Sequence, residues 1–158
     1  IFKGMIYLGN LLVAGVASLA FVYGGMAVNR PLGAAILVAF AFLLHLGREM
    51  VKDIQDKSAD ASVGHRTGAT IADGRISRVL ASFVLMLLIA ATLAPFFGRL
   101  YGLGYLIVVV VGVDFIIIES IHTLIVAGDS ESMVRVSFWL KLAMPIGLLA
   151  VLIGRMGW

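Results

Sequence analysis

Five apolar stretches separated by short polar segments constrain the fold of this chain more than any other feature. A helix that crosses a bilayer needs roughly 20 predominantly apolar residues. The stretches reach or approach that length, the second if its helix continues past Gly47 to Met50. The sequence therefore predicts an all-α, polytopic transmembrane bundle of five helices, which run approximately over Met5–Val28, Leu32–Gly47, Val79–Phe97, Gly104–Ala127 and Phe138–Ile153.

The composition supports this fold class and excludes several others. Of the 158 residues, 61% are hydrophobic and 13% are charged, and the mean hydropathy is +1.08, whereas soluble domains are about half apolar and about a quarter charged. A disordered segment and a nucleic-acid-binding module are excluded, so no nucleic acid is expected among the partners. Because the chain contains no cysteine, it has no disulfide and no thiol chemistry. The expected partner of its surface is the lipid bilayer.

The basic residues predict the orientation in the membrane. With five helices, the amino terminus, the connection at about 48–78 and the turn at about 128–135 lie on one side. That side carries nine of the twelve basic residues, and Arg30, Arg99 and Arg155 lie on the other. Because loops rich in Lys and Arg stay in the cytoplasm, we expect the long connection to be cytoplasmic in a multi-pass protein of the cell membrane.

That connection contains a stripe of acidic residues. If the second helix continues out of the membrane, the spacings of four, three and four residues place its carboxylates on one helical face. Carboxylates so arranged repel one another unless a cation lies among them, and oxygen ligands suit a hard divalent ion such as Mg²⁺. The interleaved basic residues would suit phosphate oxygens. A solvated, mixed-charge loop explains the same spacing equally well. The four acidic residues are Glu49, Asp53, Asp56 and Asp60.

The segment from Arg48 to Thr67 also resembles a known motif. Its pattern, Arg48-Glu49-x-x-Lys52-Asp53-Ile54-x-Asp56-x-x-x-Asp60-x-x-x-Gly64-x-Arg66-Thr67, is similar to the second aspartate-rich motif of the UbiA superfamily of intramembrane prenyltransferases. Within the superfamily, the geranylgeranylglycerol-phosphate geranylgeranyltransferases are most similar. The position of the motif after a short membrane helix, with three helices behind it, resembles the family as well.

The resemblance implies an enzyme that transfers an isoprenyl group from its diphosphate to a hydrophobic acceptor, with Mg²⁺ as cofactor. It implies a nine-helix fold around a central cavity, of which residues 1–158 would be the C-terminal part. Asp56 and Asp60 would be catalytic and bind the metal together with Asp53 and Glu49. The diphosphate would be bound by Arg48, Lys52 and Arg66. Geranylgeranylglyceryl phosphate is the acceptor that the subgroup suggests.

One element of the family pattern is missing from this sequence. No motif similar to NDxxDxxxD occurs in the chain, which begins with Ile1. We therefore expect that the N-terminal helices of the same protein are missing from this sequence and that the chain is inactive without them.

Several polar residues lie within the predicted membrane helices. Ionisable residues in such positions are costly and are candidates for function. Asp114 either contacts a bound acceptor or makes an interhelical hydrogen bond, for which Asn10 and Ser137 are candidate partners. Glu119 is expected near the membrane interface, where it could pair with His122 or Lys141, or it could line the cavity of the active site. His45 is predicted to line a cavity or to make a hydrogen bond rather than to bind metal.

Two other functions are consistent with the sequence. The chain could be a non-catalytic membrane subunit or assembly partner that retains half of a UbiA-like scaffold. It could also be part of a transporter with a site at Asp114, which predicts a discontinuous helix there. No Pro or Gly lies between Val113 and Ala127 to break that helix.

Overall fold

The computed structural model describes residues 2–62, 68–127 and 129–156, and it describes side chains for 8–31, 33–56, 74–127 and 129–156. Five long helices make up almost all of this part of the chain. They are α1 (Phe2–Ala27), α2 (Pro31–Ser62), α3 (Gly68–Phe97), α4 (Leu103–Val126) and α5 (Ser130–Met156). The predicted all-α class is confirmed, since the described residues contain no strand.

Each of the five helices contains a segment long and apolar enough to cross a membrane. Many large apolar side chains on these segments face outward, among them Tyr23 at 77% exposure and Phe97 at 75%. Exposure of this extent suits lipid rather than water as the surrounding medium. The chain is an integral membrane protein.

The helices follow one another up and down across the bundle. α1 ends before Asn29, whose left-handed backbone (φ 54°) turns the chain, and Pro31 occupies the first position of α2, where its fixed φ and missing N–H suit a helix start. At this turn a Cβ on Gly25 would lie 2.7 Å from the Cβ of Ala34, so glycine permits the close approach of α1 and α2. The Arg155 guanidinium donates to the Gly33 carbonyl (2.7 Å) at the same end of the bundle.

Three helix boundaries differ from the prediction. The polar connection expected at about 48–78 is largely helical, because α2 reaches Ser62 and α3 begins at Gly68. Hydropathy detects only the helical turns that lie inside the bilayer. Helical turns that extend beyond the bilayer are polar, so hydropathy does not mark them as helix. Likewise α5 begins at Ser130 rather than near Phe138.

A side-chain cap explains the early start of α5. Asp129 accepts hydrogen bonds from the Ser132 amide and the Ser132 hydroxyl, both at 2.8 Å. This is an N-cap that satisfies one of the free amide groups of the first turn. The hydrogen bonds from Ser132 lower the pKa of the Asp129 carboxyl below its usual range.

α2 is the central helix of the described bundle. It packs against α1, α3 and α5, while α4 packs against α3 and α5. The larger apolar core lies toward the charged end of α2 and includes Val51, Leu85 and Ile117. A smaller core around Tyr105 and Val109 fills the other end. This packing fixes the direction in which the charged residues of α2 leave the bundle.

Candidate functional site

The charged end of α2 begins directly after its membrane-spanning part. Glu49, Asp53, Asp56 and Asp60 all belong to this one helix, so residues at these spacings share one face, as the sequence predicts. Asp53 is partly buried and Asp56 is exposed. The side chain of Asp60 and all of Arg66 lie outside the described residues. Within the described part of the chain, no group of three His, Cys, Asp or Glu side chains is close enough to hold a metal ion.

Asp53 is fixed in place by a residue of the neighbouring helix. The Asn10 side-chain amide on α1 donates to Asp53 Oδ2 at 2.7 Å, and Asn10 is only 7% exposed. A buried amide that donates to a carboxylate fixes the orientation of that carboxylate. Among the described residues, Asn10 is bound to Oδ2 of Asp53 and no partner contacts Asp53 Oδ1.

Glu49 bridges two basic residues of the same helix. Its Oε1 lies 3.1 Å from Arg48 and its Oε2 lies 3.2 Å from Lys52 Nζ. Arg48 also has a buried Nε with no hydrogen-bond partner in the described part of the chain. The charged end of α2 therefore presents both acceptors for a cation and donors for an anion.

An apolar cavity of about 220 Å³ extends into the bundle beneath this charged end. All five helices contribute to its wall, including Phe21 of α1, Leu88 of α3 and Gly147 of α5. The polar side chains among its lining residues are His45 and Thr92. His45 lies one helical turn before Glu49, so the cavity and the charged residues are contiguous along α2.

Comparison with known proteins shows what this arrangement resembles. No protein-family model matches the chain. Three curated relatives are digeranylgeranylglyceryl phosphate synthases. That of Methanosphaera stadtmanae is 30% identical over 98% of this chain and 56% of its own length. That of Methanocaldococcus jannaschii is 29% identical over 93% and 51%, and that of Natronomonas pharaonis is 32% identical over 99% and 54%.

A solved structure supports the same relationship. It comes from work on digeranylgeranylglyceryl phosphate synthase in membranes, and it matches 96% of this chain and 53% of its own with a TM-score of 0.80 at 28% identity. The chain is a homologue of these UbiA-type synthases. It spans about half the length of the curated relatives it matches.

This chain also contains a second polar cluster, which lies deeper in the bundle than the charged end of α2. The Thr92 hydroxyl lies 2.7 Å from the Ile89 carbonyl and 2.8 Å from Asp114 Oδ1, and the Tyr105 hydroxyl donates to the Thr92 carbonyl at 2.6 Å. Asp114 is 4% exposed. The prediction of an interhelical hydrogen bond is thus correct for Asp114, but the predicted partners Asn10 and Ser137 are wrong. Asn10 binds Asp53 instead, and Asp114 binds Thr92, which lies on the adjacent helix.

The backbone next to Asp114 has an unusual form. Residues Val109–Asp114 of α4 form a π-helical segment, a form that is rare and frequently occurs at functional sites. Two residues of the segment, Val109 and Val113, line the cavity. The helix nevertheless continues through Val126, so it lacks the discontinuity that the transporter hypothesis predicts.

The other predicted cavity residues lie elsewhere. Glu119 lines a separate depression between α4 and α5, beside Arg135 and Trp139. Glu119, His122 and Lys141 are exposed. None of the three makes a hydrogen bond or an ion pair within the described part of the chain, and the pairing expected for Glu119 is not found there.

Two residues of the site have roles that the sequence did not predict, since Asn10 was expected only as a partner of Asp114 and Thr92 was not singled out. Asn10 and Thr92 are polar residues within apolar spans, which marks them as candidates for interhelical contacts. Their partners are 43 and 22 positions away, so the sequence spacing holds no information about which residues they meet.

Proposed function

We propose that the chain is part of a membrane-bound prenyltransferase, which transfers a long isoprenyl group, geranylgeranyl by analogy with its relatives, from its diphosphate to a glycerophosphate acceptor. The names of the curated relatives and of the solved structure support this assignment. The activity is proposed for the complete protein, because the chain spans about half the length of these relatives.

The continuity of the charged end of α2 with the apolar cavity carries the proposal. An isoprenyl diphosphate has a strongly anionic head and a long apolar chain. The cavity offers an apolar environment from His45 inward, and Arg48 and Lys52 lie one to two turns outward on the same helix. From His45 to Asp53 the helix rises about 12 Å, so the head and the chain of one amphiphile can be bound together.

We propose Arg48, Lys52 and Arg66 as the residues that bind the diphosphate. The unpartnered Nε of Arg48 supports this role, since a buried donor without a partner is costly and a phosphate oxygen would satisfy it. Each carboxylate oxygen of Glu49 already contacts a basic side chain, Oε1 that of Arg48 and Oε2 that of Lys52. We infer that Glu49 positions Arg48 and Lys52, and that binding of metal by Glu49 would require displacing one of them.

We propose that Asp53, Asp56 and Asp60 hold Mg²⁺, with Asp56 and Asp60 catalytic. The donor set fits such an ion, because it consists of carboxylate oxygens and Mg²⁺ binds through one or two carboxylates together with water and substrate phosphates. Asn10 donates to Asp53 Oδ2, and no described residue contacts Asp53 Oδ1, which could therefore face the ion. When bound, the ion would neutralise the charge that develops on the diphosphate leaving group.

The cavity wall supplies the second requirement of the reaction. An allylic cation formed by loss of diphosphate reacts with any water that reaches it. Apart from His45 and Thr92 the lining residues are apolar, and a site lined in this way excludes water from the reacting carbon. We propose that this end of the bundle faces the cytoplasm, since most of the basic residues lie there.

A panel of acceptors tests the proposed reaction. The complete protein in lipid vesicles is supplied with radiolabelled geranylgeranyl diphosphate, Mg²⁺ and one acceptor at a time: geranylgeranylglyceryl phosphate, 4-hydroxybenzoate or a tetrapyrrole. We expect labelled product with the glyceryl phosphate alone, and no product when the Mg²⁺ is chelated. Product formed with an aromatic acceptor instead would overturn the proposed substrate. No consumption with any acceptor would favour the non-catalytic subunit.

A further inference from the structure

A groove between α3 and α4 opens on the outer surface of the described bundle, and none of the residues proposed for catalysis lines it. Its volume is about 470 Å³. Arg75 and Arg78 lie at the start of the membrane-spanning part of α3, and Phe83 and Met86 line the groove further along the same helix. From Arg75 to Met86 the helix rises about 16 Å. The groove therefore has a basic end at the membrane boundary and an apolar wall beneath it.

The polarity of the groove matches an amphiphile with an anionic head. None of its lining residues is acidic. Arg78 donates to the Ala127 carbonyl at the end of α4 (3.4 Å), which holds its guanidinium at the basic end of the groove, while Arg75 is exposed. The planar guanidinium group presents parallel donors that fit phosphate oxygens.

Ser82 provides independent evidence for a ligand. It lines the groove and is 7% exposed, yet its buried hydroxyl has no hydrogen-bond partner within the described part of the chain. Serine and threonine in helices often donate to a carbonyl one turn earlier, as Ser120 does to Ile116. A buried hydroxyl without a partner is costly, and an oxygen of a bound molecule would satisfy it.

We propose that this groove binds an anionic phospholipid of the surrounding bilayer. Its phosphate would bind to Arg75 and Arg78, the Ser82 hydroxyl would donate to an oxygen of the headgroup or its linkage, and one chain would lie along Phe83 and Met86. Basic residues of membrane helices near the bilayer surface recognise anionic lipid headgroups in this way. The site is separate from the proposed catalytic site and does not depend on the proposed reaction.

Native mass spectrometry of the complete protein tests the proposal. The protein is titrated with phosphatidylglycerol or with phosphatidylcholine of the same chains. We expect preferential retention of phosphatidylglycerol by the wild-type protein. The double variant Arg75→Gln, Arg78→Gln should bind it about thirtyfold more weakly, with binding of phosphatidylcholine unchanged. Ser82→Ala, which removes only the hydroxyl, should weaken binding about threefold to tenfold.

A matched control removes the same charge elsewhere. The double variant Arg30→Gln, Arg99→Gln acts at the opposite end of the bundle, where both side chains are exposed, and should retain phosphatidylglycerol as the wild type does. An equal loss in this control, or equal retention of both lipids by the wild type, would overturn the proposal. So would lipid-free dimers in which a second copy of the chain covers the groove. If the arginine variant fails to fold, unchanged retention in Ser82→Ala overturns the proposal and weaker retention supports it.

Discussion

The hydrogen bond between Asn10 and Asp53 joins two helices where the apolar part of the bundle meets its charged end. At 7% exposure, Asn10 is buried, and its amide donates to one oxygen of an acidic residue that we propose as a metal ligand. Residues that orient metal ligands commonly change metal affinity when they are removed. Asn10 is therefore a positioning residue in this account.

Replacing Asn10 by leucine should raise the Mg²⁺ concentration required for half-maximal prenyl transfer about tenfold, because the Asp53 carboxylate loses the donor that orients it. The measurement is the initial rate of transfer by the complete protein over a series of Mg²⁺ concentrations. Ser18→Ala is the matched control. Ser18 is also buried on α1 but donates only to Gly15 of its own helix. A variant with unchanged Mg²⁺ dependence and reduced stability would show that Asn10 is merely structural.

The sequence predicts the residue types of the site better than their contacts. Glu49, Asp53 and Asp56 lie on one helix, as their spacing requires. The sequence does not predict the partner of Asp53, because Asn10 is 43 positions away and the contact depends on how α1 packs on α2. The same reason explains why Thr92 was not found as the partner of Asp114.

At the scale of single helices, the π-helical segment of α4 is the feature that most affects the cavity. An extra residue in one turn changes the direction of every side chain that follows. Here the segment ends at the buried Asp114, which accepts a hydrogen bond from Thr92 on α3, and it contributes Val109 and Val113 to the cavity wall. Gly112 lies in the segment, and a Cβ there would come 2.5 Å from Cγ2 of Ile146 on α5. The glycine thus permits close contact of α4 with α5.

Gly112→Ala should lower the free energy of unfolding by about 1–3 kcal/mol, since the added methyl group has no room and the two helices must move apart. Reversible unfolding in mixed micelles measures the effect. Gly24→Ala is the control, because nothing lies within 4 Å of a Cβ at that position. A neutral or stabilising effect of Gly112→Ala would contradict the close packing of α4 on α5.

Hydropathy predicts the helices but not their full extent or winding. The five apolar segments correspond to five helices because a bilayer requires the backbone to satisfy its own hydrogen bonds. The ends of α2 and α3 were misplaced because helical turns outside the bilayer are polar. The π-helical segment has no periodic signal, since Val109, Val110, Val111 and Val113 give a uniformly apolar pattern.

At the scale of the whole molecule, the charged end of α2 adjoins an apolar cavity whose wall is contributed by all five helices. The cavity wall combines residues as distant in sequence as Phe21 and Leu148. No local sequence pattern predicts such a cavity. The charged end of α2, in contrast, lies within one continuous segment and can be recognised in the sequence. The proposed reaction therefore requires the acidic residues at the end of α2 to act together with this cavity.

The most direct test of that claim is the rate of prenyl transfer by the complete protein with Asp56→Asn or Asp60→Asn. Each variant should reduce the rate by about a hundredfold or more with no change in its unfolding transition, since Asp56 is exposed. Glu131→Gln, an exposed acidic residue at the start of α5, is the control and should keep the wild-type rate. Near wild-type transfer by folded Asp56→Asn and Asp60→Asn proteins would contradict the account.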